Sequence, residues 1–172
     1  MDAIGHGVME ALRLIFSGDA EIFEIVGLSL YVSFFSVVIS SCIGIPAGVF
    51  LGTHSFRGKG ILIRVIYTLM SLPPVIAGLT VFLILMRRGP LGSFQLNYTV
   101  TAMIIAQICL VTRIVTGLTY NLVKEKAPVV YKLATTLGAR KASRMKLLIY
   151  EMRTGLTTSV VSGFGRAISE VG

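Results

Sequence analysis

The sequence predicts an all-α membrane protein that crosses the bilayer several times, and three observations support this fold class. Of the 172 residues, 54% are hydrophobic and only 14% are charged, whereas soluble domains carry about 25% charged residues. The mean hydropathy is +0.83. The apolar residues also gather in long runs, and about 20 such residues are enough to cross a bilayer as a helix. A water-soluble domain and a large catalytic domain are therefore excluded.

We predict a single membrane-spanning domain over residues 1–172. Residues 1–24 place apolar side chains at helical spacing, which predicts an amphipathic helix along the outer membrane interface, with a frayed terminus as the alternative. The other predicted segments are spans at residues 25–53, 65–86, 98–123 and 154–172, the last incomplete, and a cytoplasmic loop at residues 124–153.

The second predicted span contains two adjacent prolines, Pro73 and Pro74. Proline lacks the backbone N–H that continues the helical hydrogen bonds, and its ring clashes with the preceding turn. We therefore expect the helix to kink or break near the middle of the membrane.

The net charge of +8 reflects where the basic residues lie. Residues 1–24 are acidic overall, whereas the connection after the first span and residues 124–153 hold most of the lysines and arginines. Basic residues mark cytoplasmic loops, so the N-terminus is expected outside the cell. Because no aromatic residues alternate with the basic ones, nucleic-acid binding is not indicated.

The sequence gives no sign of a catalytic or metal site. Cys42 and Cys109 lie in apolar stretches without metal-ligand spacing, and no nucleophile, base and acid fall into an arrangement that would support catalysis. The glycine-rich residues 52–60 have the wrong spacing for a phosphate-binding loop and lack its serine or threonine. We expect no cofactor in this chain. If ATP and magnesium are used, a partner subunit must bind them.

Small residues recur every four positions in the first span and form one stripe on the helix. Such a stripe permits close approach of a neighbouring helix, which is the favoured interpretation; the alternative is that it lines a pore. Its members are Ser36, Ser40, Gly44, Gly48 and Gly52.

Three charged residues, Arg113, Arg166 and Glu170, fall within predicted spans. A charge at membrane depth is unfavourable and usually faces the bundle interior or a water-filled path. Arg166 and Glu170 are four residues apart and share a helix face. One interpretation is a cationic lining for the path of an anion. The other is an ion pair that only holds helices in register.

Residues 127–146 predict two short cytoplasmic helices. Pro128 suits a first helical turn, and Gly138 suits the left-handed residue that ends a helix. Val129, Leu133 and Leu137 would form an apolar stripe able to enter a groove on a partner protein. An ordinary helix on the surface of an anionic membrane is the alternative.

This segment resembles the cytoplasmic loop of permease subunits of ATP-binding-cassette (ABC) importers. Ala134 and Gly138 match its pattern and Leu148 is a weaker fit, whereas the glutamate, first alanine and proline of the pattern are absent. The resemblance implies that the loop couples the permease to an ATPase. The implied coupling residues are Lys132, Leu133, Ala134, Leu137, Gly138, Ala139 and Arg140.

Further segments at residues 44–48, 72–79, 87–92, 101–107 and 163–172 resemble the molybdate/tungstate branch of these permeases, with tungstate permeases most similar. The resemblance implies a homodimeric pore in a bacterial or archaeal inner (cytoplasmic) membrane. It also implies two cytoplasmic ATP-binding subunits and a periplasmic or lipid-anchored oxyanion-binding protein. The transported ion would be tungstate, or else molybdate, sulfate or another anion, carried by alternating access.

The candidate translocation path combines the two prolines of the break, the three charged residues of the predicted spans and the amide side chain of Gln107, which lies in one of the resembling segments. Because such permeases continue past the position of Gly172, we expect this chain to be truncated at its C-terminal end. The alternative from another class is a membrane anchor or assembly protein that recruits a cytoplasmic partner without transport. The path residues are Pro73, Pro74, Gln107, Arg113, Arg166 and Glu170.

Overall fold

A computed structural model describes residues 20–86, 89 and 99–171, apart from the side chains of residues 21 and 171. This part of the chain is helical and contains no strand, so the predicted all-α class is confirmed. Most of the predicted interfacial helix lies outside the described residues. The described helices are α1 (Ala20–Thr53), α2 (Lys59–Ser71), α3 (Pro74–Leu85), α4 (Val100–Thr136) and α5 (Lys141–Val171).

Helix α4 is the centre of the structure, since it packs against α1, α2, α3 and α5. The side chain of Thr99 caps its N-terminus by accepting a hydrogen bond from the backbone N–H of Ala102. Buried side chains recur along most of its length, from Gln107 to Ala134. The positions of the other helices can therefore be described by where each one meets α4.

Helices α1 and α4 run parallel, with the predicted stripe of small residues between them. The hydroxyls of Ser36 and Ser40 donate to the Ile104 and Ile108 carbonyls at 3.4 and 3.3 Å. A Cβ placed on Gly48 would lie 2.6 Å from Thr119 Cβ, closer than side chains pack. The packing interpretation is confirmed, because α4 covers the stripe.

Helices α4 and α5 form an antiparallel hairpin. Near its turn, Val130 and Ala127 share an apolar cluster with Leu148 and Met152. Further along, Gly155 meets Leu122, and Gly163 meets Val111 and Val115. Helix α5 also contacts α1, so the three longest described helices form one packed unit.

The basic segments after α1 and around the α4–α5 turn lie at the same end of this unit. Lys59 Nζ, at the start of α2, donates to the His54 carbonyl at 2.9 Å and lies 5.8 Å from the centre of the Tyr120 ring. The parallel α1 and α4 both finish at this end. This arrangement agrees with the shared side that the charge pattern predicts for the two segments.

The prediction of two short helices within residues 127–146 is wrong. Helix α4 continues through Pro128 to Thr136, and α5 begins at Lys141 and runs on without a break to Val171. Pro128 removes one hydrogen bond, to the carbonyl four residues earlier. Burial of Ala127 and Val130 against α5 offsets this loss, so the loop predicted at residues 124–153 is largely helical.

Two of the described helices are long and apolar enough to cross a membrane, Ile22–Thr53 and Val100–Thr136. The pair α2 and α3 passes the same test together but is bent by 102°, as in a broken span or a re-entrant loop. Large apolar side chains such as Phe23, Phe34 and Phe50 cover the outside of α1. A surface of this kind is expected against lipid. The four predicted span boundaries remain predictions.

Candidate translocation groove and coupling turn

The helical structure is interrupted between α2 and α3, at the two adjacent prolines, as the sequence predicts. The backbone N–H of Leu72 makes the last helical hydrogen bond of α2, to the Thr68 carbonyl at 3.2 Å. Leu72 and Pro73 are then extended, with ψ of 136° and 138°, and Pro74 starts α3. Proline is favoured at a first helical position because its missing N–H would be unpaired there anyway. The predicted break is confirmed.

A groove of about 460 Å³ opens beside this break. Three residues of the candidate path meet in its wall, because Pro74 starts α3, Gln107 lies on α4 and Glu170 lies near the end of α5. Pro73, Arg113 and Arg166 do not line it. The remaining wall residues are Val75, Gly78, Met103, Ala106 and Leu110.

Gln107 is the most buried polar residue of this groove, with 5% of its surface exposed. Its Nε2 donates to the Ala167 carbonyl of α5 at 3.4 Å. Its Oε1 is buried and has no hydrogen-bond partner within the described ranges. A buried acceptor in a folded protein is normally paired with a donor, such as an ordered water.

Arg166 and Glu170 form an ion pair, with Arg166 Nε 2.6 Å from Glu170 Oε1. The shared helix face predicted from their spacing is confirmed. Glu170 is 12% exposed, and its Oε2 is buried without a partner in the part of the chain that is described. The carboxylate at the groove is therefore neutralised by Arg166 but retains an unused acceptor.

Arg113 lies on α4, where its charge interacts with the charges of Glu170 and Arg166. Its Nη1 donates to the backbone carbonyl of Leu69, in the last turn of α2. Sequence reasoning missed Leu69. The available signal was Pro73, which lacks the N–H that would bond the carbonyl four residues earlier in a continuous helix.

The turn between α4 and α5 contains the implied coupling residues. Gly138 has φ of +69°, as predicted for the residue that ends a helix. Its N–H donates to the Thr135 carbonyl at 3.0 Å, and the N–H of Ala139 donates to the Ala134 carbonyl at 2.9 Å. These bonds form a Schellman motif, which pairs carbonyls left free at the helix end.

The coupling residues divide into a buried base and an exposed tip. Ala134 is 1% exposed, whereas Leu133 and Leu137 are 59% and 76% exposed. Lys132 and Arg140 are also exposed. Two leucines one helical turn apart therefore project from the basic end of the molecule, in the stripe that the sequence predicts.

These features define a class of protein: a helical membrane permease with a discontinuous helix beside an internal groove and an apolar turn exposed at its basic end. The chain belongs to the family of binding-protein-dependent transport system inner membrane components, whose pattern it matches over residues 44–171. It is therefore a permease subunit of an ABC transporter of the inner membrane and not an enzyme. Family membership implies that it works with an ATPase and a binding protein.

Three curated relatives place the chain within this family. Over all 172 residues it is 45% identical to the tungstate uptake system permease protein TupB of Peptoclostridium acidaminophilum, covering 75% of that protein. It is 32% identical over its full length to TupB of Campylobacter jejuni, covering 72%. Over 149 residues it is 36% identical to a probable anion ABC transporter permease protein of Haloferax volcanii, covering 64%.

Proposed function

We propose that the chain is the permease subunit of an importer for a tetrahedral oxyanion, tungstate first. The two relatives that align with the whole of this chain, at 45% and 32% identity, are both named as tungstate uptake permeases. The Haloferax relative is named as a probable anion permease. The single structural observation that supports transport is the groove beside the broken helix. It brings Pro74, Gln107 and Glu170 together from three different helices.

The charges around the groove suit an anion. Glu170 is the charged residue in the wall of the groove, and its carboxylate is paired with Arg166, while Arg113 lies close enough for its charge to interact with both. The wall therefore carries no uncompensated negative charge, which would repel an anion more strongly in a low-dielectric setting than in water. The pairing also weakens the attraction of Arg166 for a passing anion, and permeation needs attraction weak enough for release.

The exposed turn suits coupling to an ATPase. In the proposed cycle, two cytoplasmic subunits bind ATP and magnesium, and this chain binds neither. Leu133 and Leu137 would enter an apolar groove on each ATPase, and closure of the ATPases would rock the helices between inward-facing and outward-facing states. Such coupling requires that the ATPases hold the turn differently in the two states.

The proposed assembly is a homodimer of permease subunits, with the N-terminus outside and a periplasmic or lipid-anchored binding protein delivering the anion. The competing proposal is a membrane anchor that recruits a cytoplasmic partner without transport. A molybdate, sulfate or other anion permease is the alternative among transporters.

Reconstitution of the permease in liposomes with its ATPase and binding protein tests this function. We expect ATP-dependent uptake of tungstate that excess tungstate blocks more strongly than excess molybdate or sulfate. Arg166→Gln should reduce uptake, because it leaves the negative charge of Glu170 unpaired in the wall of the groove. ATPase binding without uptake of any of the three anions would support the anchor, and preferred uptake of molybdate or sulfate would reassign the substrate.

A further inference from the structure

The proline break leaves the end of α2 short of hydrogen-bond donors. In a continuous helix, the N–H of residue 73 would donate to the Leu69 carbonyl and that of residue 74 to the Met70 carbonyl. Both positions are prolines, which have no N–H. An unpaired carbonyl at membrane depth is unfavourable, since lipid offers no donor. The broken helix therefore needs a donor from elsewhere in the protein.

Arg113 of α4 supplies this donor through Nη1, which bonds the Leu69 carbonyl. A cation is also favoured at the C-terminal end of a helix, where the partial charge of the backbone is negative. Because Arg113 is not among the residues that line the groove, its guanidinium is directed at the helix end and not at the groove.

Two further contacts dock α2 on the same face of α4. Met70 packs against Gly117, where a Cβ would collide with the Met70 sulfur. One turn further along α4, the hydroxyl of Tyr67 donates to Asn121 Oδ1. Residues 113, 117 and 121 are four apart, so they form one stripe along α4 that receives the last turns of α2.

We propose that Arg113 is the positioning residue of the broken helix. It holds the C-terminal end of α2 on α4, and this fixes the break from which Pro74 enters the groove. Arg113 thus acts on the path through the helix it holds, without contacting the ion. The proposal builds on the proposed function where transport is concerned, but the docking of α2 can be measured without any transported ion.

A cysteine cross-link measures this docking. Met70→Cys and Gly117→Cys in a Cys42→Ser, Cys109→Ser background place two thiols at an existing contact between α2 and α4. In the assembled transporter, Arg113→Met should slow disulfide formation about tenfold, as expected when a charged hydrogen bond is lost. Arg113→Gln should slow it much less, because its amide can still donate to a carbonyl. Arg153→Gln is the matched control and should leave the rate unchanged, since Arg153 stacks on Tyr150 within α5 and is not among the charges that act on Arg113.

Uptake of tungstate in the same variants, without the cysteine pair, completes the test. The proposal expects Arg113→Gln to keep most of its uptake and Arg113→Met to lose it. Unchanged cross-linking in Arg113→Met would overturn the proposal, as would equal loss of uptake in both variants, which would instead indicate a direct effect of the charge on the anion. If the unsubstituted transporter takes up no tungstate, the proposed substrate fails, while the cross-linking rates still decide the role of Arg113.

Discussion

At the residue scale, the close contact between α1 and α4 depends on glycines, which have no side chain to hold the helices apart. Hydrophobic attraction between helices is weak within lipid, so close packing and interhelical hydrogen bonds hold them together. Gly48 and Gly52 let the α4 side chains Thr119 and Val123 reach the backbone of α1. The two serine hydroxyls add about 0.6 kcal/mol each if they behave like other polar contacts measured in membrane proteins.

Alanine at Gly48 should destabilise the permease by about 1–3 kcal/mol, because the added Cβ would lie 2.6 Å from Thr119 Cβ and 2.8 Å from the Thr116 carbonyl oxygen. Gly27 in the same helix has no neighbour within 4 Å, so Gly27→Ala is the matched control. Both changes bring the same gain in helix propensity. Thermal unfolding of the purified transporter measures the difference, and equal unfolding temperatures for the two variants would contradict the packing account.

Sequence spacing predicts contacts within one helix better than contacts between helices. The four-residue separation of Arg166 and Glu170 is enough to predict that they share a face, and a helical period of 3.6 makes their pairing available. The bond between Arg113 and Leu69 joins residues 44 positions apart on different helices. It depends on how α2 lies against α4, which no local pattern encodes.

At the element scale, helix ends follow local chemistry except where tertiary packing outweighs it. Gly138 ends α4 as predicted, because a residue with positive φ favours glycine. The sequence predicts that Pro128 begins a helix, but α4 continues through it, because the apolar contact with α5 outweighs the effect of the proline. The break at Pro73 and Pro74 could be predicted because two adjacent prolines remove two successive donors, whereas one proline removes only one.

The exposed turn can be tested with two substitutions of nearly the same shape. Asp and Asn both tolerate positive φ at position 138, but only Asp adds a negative charge at a surface proposed to enter an apolar groove. We expect Gly138→Asp to lower the anion transported per ATP hydrolysed about tenfold, equivalent to about 1.4 kcal/mol of lost coupling. Gly138→Asn should retain most of the coupling.

Uptake and ATP hydrolysis measured together in proteoliposomes give this ratio. Since Gly138 has no neighbour within 4 Å, neither side chain is expected to clash within the permease itself. Normal coupling in Gly138→Asp would show that the turn does not enter an apolar groove of the ATPase. Equal loss in both variants would point to backbone strain.

At the scale of the whole molecule, the directions of the helices place both basic segments at one end of the packed helices. The parallel course of α1 and α4, with α5 antiparallel to α4, follows from which residues meet along each pair. The charge pattern alone predicts that the two segments share a side. It could do so because membrane insertion depends on charge in the loops, whereas packing depends on shapes that only the folded chain brings together.

Cysteines placed in exposed positions test this arrangement. In a background without Cys42 and Cys109, Ser55→Cys and Ser143→Cys should react with a membrane-impermeant thiol reagent only from the cytoplasmic side. Val100→Cys, at the opposite end of α4, should react only from the outside. Labelling of intact cells and of inverted membrane vesicles distinguishes the two sides. If positions 55 and 143 were labelled from opposite sides, the proposed orientation would be wrong.

The small-residue stripe has one further consequence, which concerns how α1 and α4 are aligned along their length. A pattern that repeats every four residues looks the same after a slide of four residues, about 6 Å. Such a slide would leave Gly44 and Gly48 facing Thr119 and Val123, so the glycines of the stripe select a helix face without selecting a register. The slide would, however, replace Val37 by Ser33 within the apolar cluster of Val111, Val115 and Ala167. It would also put Val32 in place of Ser36, and the hydrogen bond to the Ile104 carbonyl would be lost. The alignment of these two helices is thus set by the first serine of the stripe and by the valine beside it, against which α5 closes.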